Sequence, residues 1–237
     1  MVDPVDRQVS DPLEGHTAKV VDQSLTDLRL QAVEMGGLVI DQVASSVQAL
    51  LNGDAKLAER VLSREPLVND YDAKLDRDSI TFIALQQPVA NDLRVVRAIA
   101  RVGLELERVG DESKKIARFA ARQEQHALTP DPVAAVARYL RHMAELTGKM
   151  LRSAVRAVDE ADADLAREVL AKDKELDAEF ATALRQLMSF VIQDHQFLKA
   201  TIDTVFALKG LERIGDHAKN IAEQVLYMLS GEQDGGT

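Results

Sequence analysis

One segment of this sequence occurs twice. Leu106-Glu107-Arg108-Val109-Gly110-Asp111 returns as Leu211-Glu212-Arg213-Ile214-Gly215-Asp216, and the copies continue through Lys114-Lys115-Ile116-Ala117 and Lys219-Asn220-Ile221-Ala222. Between 106–117 and 211–222, eight of twelve positions are identical. An upstream stretch repeats too: Val47, Ala49, Asp54, Ala55, Leu57, Ala58, Val61 and Leu62 equal Val155, Ala157, Asp162, Ala163, Leu165, Ala166, Val169 and Leu170. The offset is 108 there and 105 at the signature, which implies three fewer residues in the later joint of the second unit. A duplication of this reach restricts the chain to one structural unit used twice.

That unit reads as helical. Val21, Leu25, Leu28, Val33, Ile40, Val43, Val47 and Leu50 recur near the 3.6-residue period. Aromatic residues are only 4% of the chain and Trp is absent, so the vocabulary is that of helix formers. The pattern predicts helices over about 17–51, 54–87, 91–123, 129–158, 162–194 and 197–229. Asp54, Asn91 and Thr129 are the expected N-caps, and Pro66 predicts a bend or break in the second helix. Gly36 and Gly37 cost about 2 kcal/mol mid-helix, so close packing or a kink is expected there. Short joints make successive helices antiparallel. The expected architecture is all-α: two tandem, sequence-related antiparallel three-helix bundles at 17–126 and 127–230. A mobile lead-in at 1–16 and a flexible tail at 231–237 flank them.

Composition excludes several functions. With no Cys, disulfides, thiolate zinc sites and iron–sulfur clusters are out. A net charge of −10 argues against wrapping nucleic acid. No apolar run approaches the roughly 20 residues that span a bilayer. The first residues carry Asp3, Asp6 and Asp11 and do not read as a signal peptide. The expectation is a cytoplasmic protein. Serine-triad, Walker and dinucleotide patterns are missing, which weighs against an enzyme.

Each signature places Glu and Asp four residues apart, on one helix face and one turn from each other. Like charges so placed repel by roughly 0.2–0.5 kcal/mol, and a repeated pair invites a cation. Counting back from the expected turn near Asp194, Asp173 and Asp177 fall at the height of Glu212 and Asp216. In the first unit, Asp72 and Asp76 or Glu65 and Asn69 compete to face Glu107 and Asp111; alignment of the repeats favours the second pair, whereas height favours Asn69 and Asp72. Acids with few histidines supply hard oxygen ligands for magnesium, calcium, manganese or iron. The alternative is solvated acids paired with Arg108, Arg213, Lys174 and Lys219. A ferritin-like di-iron core is disfavoured because Glu-x-x-His is missing. Gly110 and Gly215 suggest a close approach by a helix or ligand, Val109 and Ile214 read as core, and His217 is a candidate auxiliary ligand.

These residues, together with Met35-Gly36-Gly37, Gln87-Pro88 and Asp92-Leu93-Arg94, resemble the PhoU family over nearly the whole chain. The resemblance implies paired bundles that bind iron or zinc, with manganese or magnesium as alternatives, through Glu107, Asp111, Glu212, Asp216, Asp173, Asp177, Asp72 and Asp76. Asn69 departs from the acidic pattern, which sets the two bundles apart in expected affinity. The resemblance further implies a homodimeric negative regulator linking the phosphate-specific ABC transporter to a two-component sensor histidine kinase, and meeting the membrane only through these partners. Arg94 and Arg101 are candidates for a partner face. The competing reading is a metal-dependent enzyme or metal store on the same carboxylates.

Overall fold

The structure, a computed structural model, describes residues 14–122, 132–193 and 198–230. Seven helices follow in order: α1 (Glu14–Asn52), α2 (Ala55–Ser63), α3 (Glu65–Gln86), α4 (Ala90–Arg122), α5 (Pro132–Glu160), α6 (Ala163–Gln193) and α7 (Leu198–Ser230). The all-α expectation holds, and six expected helices become seven because the second one breaks. Pro66 sits in the first turn of α3, where its missing N–H costs nothing. Arg64 forms the joint, its N–H donating to Val61 O at 3.1 Å. At the repeat-equivalent place the second unit has Lys174 instead of proline, and α6 runs unbroken.

The duplication is visible in local chemistry. Asp54 caps α2 by accepting from the Leu57 N–H at 2.9 Å. Its copy Asp162 caps α6, accepting from Asp164 N–H at 2.7 Å and Leu165 N–H at 3.1 Å. Expected features at 1–13, at the Thr129–Pro130 helix start, at the 194–197 joint and at 231–237 lie outside the described residues. α4 starts at Ala90, one residue before the expected Asn91 cap.

α1 to α4 pack together, as do α5 to α7, and the halves meet through α4 against α7 and α1 against α5. Among the described residues α3 does not reach α7, nor α4 reach α6. The helices therefore form two layers, α3–α4–α7–α6 over α1–α5. Arg97 sits over the Tyr227 ring, Glu105 binds His217, Glu112 pairs with Arg213, and Phe119 stacks on Phe206. These links run in opposite senses along the two helices, so α4 and α7 are antiparallel and cross near their signatures. Leu106, Val109, Leu211 and Ile214 are fully buried there, as expected for Val109 and Ile214.

Glycine makes the closest approaches. α1 passes Gly36 and Gly37 as one continuous helix. A Cβ on Gly36 would lie 2.7 Å from Val155 Cγ2 of α5, whereas one on Gly37 would meet nothing. The two glycines thus have different reasons, and only the first is a contact.

Candidate functional site

Both signatures turn their acids toward the outer helix of their own half. On α4, Glu107 and Asp111 are half-buried and face α3. With Glu65, Asn69, Gln42, Gly110 and Lys114 they line one small depression. Lys114 sits between the two helices, bound to Glu65 and 3.0 Å from Asp111 Oδ1. Asp72 lies one turn further along α3. Burial, then the Asp111 charge, then the Asp72 charge push the Glu107 carboxyl above its ordinary range. Burial and the neighbouring Asp76 do the same to Asp72. Asn69 and Asp72 both reach this face, as height predicts, and Glu65 joins through Lys114, as repeat alignment predicts. Asp76 acts on Asp72 and is not among the residues lining the depression.

The second face repeats the plan. Lys219, the copy of Lys114, donates to Asp173 Oδ2 at 2.7 Å, and Asp173 is the copy of Glu65. Asp173 is buried and Asp177 exposed. Burial raises the Asp216 carboxyl, and the Glu212, Asp173 and Asp177 charges raise it further against Lys209. Three of the acids expected at one height thus bear on the fourth, Asp216.

The two faces are not equivalent. Where the first half has Asp72, the second has Phe180; where the first has Leu104, the second has Lys209. Lys209 Nζ lies 2.6 Å from Glu212 Oε1 and 5.5 Å from the centre of the Phe180 ring. The first face thus carries an extra acid beside Glu107, and the second a built-in cation on Glu212. Lysines occupy both, so the solvated-acid alternative is partly realised, by Lys219 rather than by the arginines. Among the described residues no three acidic or histidine side chains converge into a ready cage for a metal ion. The donor chemistry still suits a hard cation: mutually repelling carboxylates on facing helices, with ammonium groups already standing in for positive charge.

Gly110 and Gly215 serve helix approach. A Cβ on Gly110 would meet Val68 Cγ1 of α3 at 3.3 Å, and one on Gly215 would overlap Leu176 of α6. Without side chains at these positions, α3 and α6 come close enough to set acid against acid.

Two acids that sequence reading missed point the other way, into the seam between the halves. Glu105 and Glu112 are buried. Glu105 accepts from His217 Nδ1 at 2.8 Å, Asn220 Nδ2 at 3.0 Å and Arg108 Nη1 at 3.1 Å. Burial works to raise its carboxyl, but the His217 and Asn220 hydrogen bonds and the His217 and Arg108 charges outweigh it and hold it low. Glu112 accepts from Lys115 at 2.8 Å and pairs with Arg213 at 3.3 Å. His217 is therefore committed to Glu105, away from the acidic face where it was a candidate ligand. Arg108 and Arg213 likewise serve the seam. The signal lay at breaks in the repeat: Glu105 matches Gly210 and Glu112 matches His217. Arg94 is half-buried and Arg101 exposed.

The PhoU domain family model matches residues 32–120 and again 140–225. A phosphate-specific transport system accessory protein PhoU homolog of Pseudomonas aeruginosa is 37% identical over 93% of this chain and 90% of its own. The phosphate-specific transport system accessory protein PhoU of Escherichia coli is 32% identical over 93% and 89%. The crystal structure of PhoU from Pseudomonas aeruginosa superposes with a TM-score of 0.83 at 36% identity, covering 89% of this chain and 99% of that one. The phosphate transport system regulatory protein PhoU from Streptococcus pneumoniae shares the fold, with a TM-score of 0.81 at 23% identity over 90% and 98%. With the domain found twice, once in each half, the chain belongs to the PhoU family.

Proposed function

We propose that this chain is a non-enzymatic accessory protein of a phosphate-specific transport system. It acts in the cytoplasm as an adaptor between the phosphate-specific ABC transporter and a sensor histidine kinase, working as a homodimer. When phosphate is plentiful it restrains uptake and starvation signalling. The observation that carries this reading is its similarity, over nine-tenths of its length, to proteins named as accessories of that system. No helix among the described residues is long and apolar enough to cross a membrane; in this reading the membrane is met through the transporter and kinase.

Metal binding belongs to the same proposal. Asp173, Asp177, Glu212 and Asp216 would hold iron or zinc on one face, and Glu107, Asp111 and Asp72, with Glu65 and Asp76 nearby, on the other. Manganese and magnesium are the alternatives. The ion supplies positive charge that ties two facing helices together, which couples its binding to stability. Lys114 and Lys219 set the threshold, since an incoming cation competes with their ammonium groups. Phosphate itself is a poor ligand for so acidic a surface unless metal reverses its sign.

The test is metal content and partner retention on one sample, comparing wild type with Glu212→Ala/Asp216→Ala. Loss of both metal and partner in the variant is the expected result. Loss of metal with transporter and kinase still bound confines the metal to a structural role. If neither changes, the carboxylate reading is wrong.

A further inference from the structure

The contact between α1 and α5 is tight at one end and open at the other. It closes where Gly36 admits Val155. The repeat-related counterpart of that contact is Ala144 with Val47, and there the helices part. The gap is a cleft of about 410 Å³ whose apolar floor includes Ile40, Val43, Val47 and Leu51 of α1 and Ala144 and Leu151 of α5. The α1 residues follow helical spacing over three turns, about 17 Å.

The two walls differ in charge. On the α1 side stand Ala44, Gln48 and Asn52, all neutral. On the α5 side stand Arg141, Glu145 and Arg152. The same outer side of α5 also carries exposed Arg138, Lys149 and Arg156. Of these five cations only Arg156 forms an ion pair among the described residues, with Glu160. In a chain of net charge −10, a row of five cations, four of them without an ion pair, along an apolar cleft favours an anionic occupant.

We propose that this cleft docks an amphipathic helix of a partner protein. The apolar face of that helix seats between α1 and α5, and its acidic residues meet Arg141, Lys149 and Arg152. Apolar grooves between helices take such segments through anchors at i, i+3, i+4 and i+7. The cationic row from Arg138 to Arg156 runs about 27 Å, longer than the cleft itself, which suits a helix better than a small molecule. A bilayer is disfavoured because the apolar residues are recessed rather than protruding. This surface is separate from the acidic faces on α3–α4 and α6–α7. It supplies the adaptor reading with a docking element, and it stands or falls without reference to transporter or kinase.

The experiment is fluorescence anisotropy of the full chain with a labelled amphipathic helical peptide of about 18 residues, a leucine stripe flanked by glutamates. A matched peptide carries lysines in place of the glutamates. Saturable binding of the acidic peptide alone is expected, weakened about tenfold or more by Arg141→Glu/Arg152→Glu. That variant should gain affinity for the lysine peptide. Ala44→Glu, at an exposed position, should weaken the acidic peptide as well. All three substituted side chains are exposed, so circular dichroism and melting should match wild type. Equal binding of both peptides, or acidic-peptide affinity unchanged in both variants, overturns the proposal. So does binding to phosphatidylserine vesicles, lost in the charge-reversed variant, when the acidic peptide does not bind.

Discussion

Gly36 and Gly37 are adjacent in the same helix, yet alanine should act on them with opposite sign. In both cases the substitution recovers about 0.8–1.0 kcal/mol of helix propensity. At Gly37 nothing opposes this, because a Cβ there meets no atom within 4 Å. Gly37→Ala should stabilise the chain by nearly the full amount. At Gly36 the new methyl would sit 2.7 and 2.8 Å from the two γ-carbons of Val155. Val155 is branched and mostly buried, so it cannot swing clear and the helices must shift. Overpacking of this kind costs about 1–3 kcal/mol, leaving a net loss of roughly 0–2 kcal/mol once propensity is counted. The two variants should therefore differ by about 1–3 kcal/mol. Urea denaturation followed by helical circular dichroism measures this directly. Adding Val155→Ala should make the Gly36→Ala step less costly, a coupling that a double-mutant cycle isolates. If Gly36→Ala stabilises as much as Gly37→Ala, the α1–α5 contact is not the close approach described.

Other perturbations test the charged faces and the seam. Asp216→Asn removes repulsion from Glu212, Asp173 and Asp177, set partly against attraction to Lys209 and Lys219, and should stabilise the metal-free protein by about 0.2–0.5 kcal/mol; a lower melting temperature in chelator would refute this. Asp72, Glu107 and Asp216 have carboxyls raised by folding, so the folded chain takes up their protons first and is stabilised as pH falls from neutral toward that raised range. Glu105 has the opposite sign: its contribution is present above the ordinary value of 4.5 and is lost as pH falls through its lowered folded value. Urea titrations between neutral and acidic pH should show maximum stability on the acid side of neutrality, and a smaller rise in Asp216→Asn; a steady fall from neutral pH contradicts the assignment. Glu105→Ala leaves His217, Asn220 and Arg108 without their shared acceptor and should cost about 3 kcal/mol. A loss under about 1 kcal/mol in the same assay would show that the seam contributes little.

Sequence reasoning reached the fold because the repeat carried it. Asp54 and Asp162 announced themselves as caps at matching positions, and Pro66 marked the place where α2 gives way to α3. Counting residues from a turn placed Asp173 and Asp177 at the height of Glu212 and Asp216, and their charges do act on Asp216. What counting does not supply is how the halves join. Helical periodicity says which side of α4 is apolar, not that α7 covers one flank of it, so nothing in the sequence singled out Glu105 and Glu112. The lysines were half-legible. Lys219 stood among the cations of the alternative reading, whereas the insertion of Lys114 between Glu65 and Asp111 depends on the close approach that Gly110 permits. His217 was misplaced for the same reason: its neighbour in sequence faces α6, while its own ring faces α4.

The exchange of Asp72 and Leu104 in one half for Phe180 and Lys209 in the other has a consequence for how such a protein changes over time. A regulator assembled from two identical chains alters both of its faces with every substitution. Here the two faces are encoded separately while the α4–α7 crossing holds them in a fixed relation. One face can carry a ring and an internal cation where its twin carries an acid and a leucine. Duplication within a chain thus lets a symmetric scaffold become a two-ended device, each end free to drift toward its own cation, or its own partner, without unmaking the other.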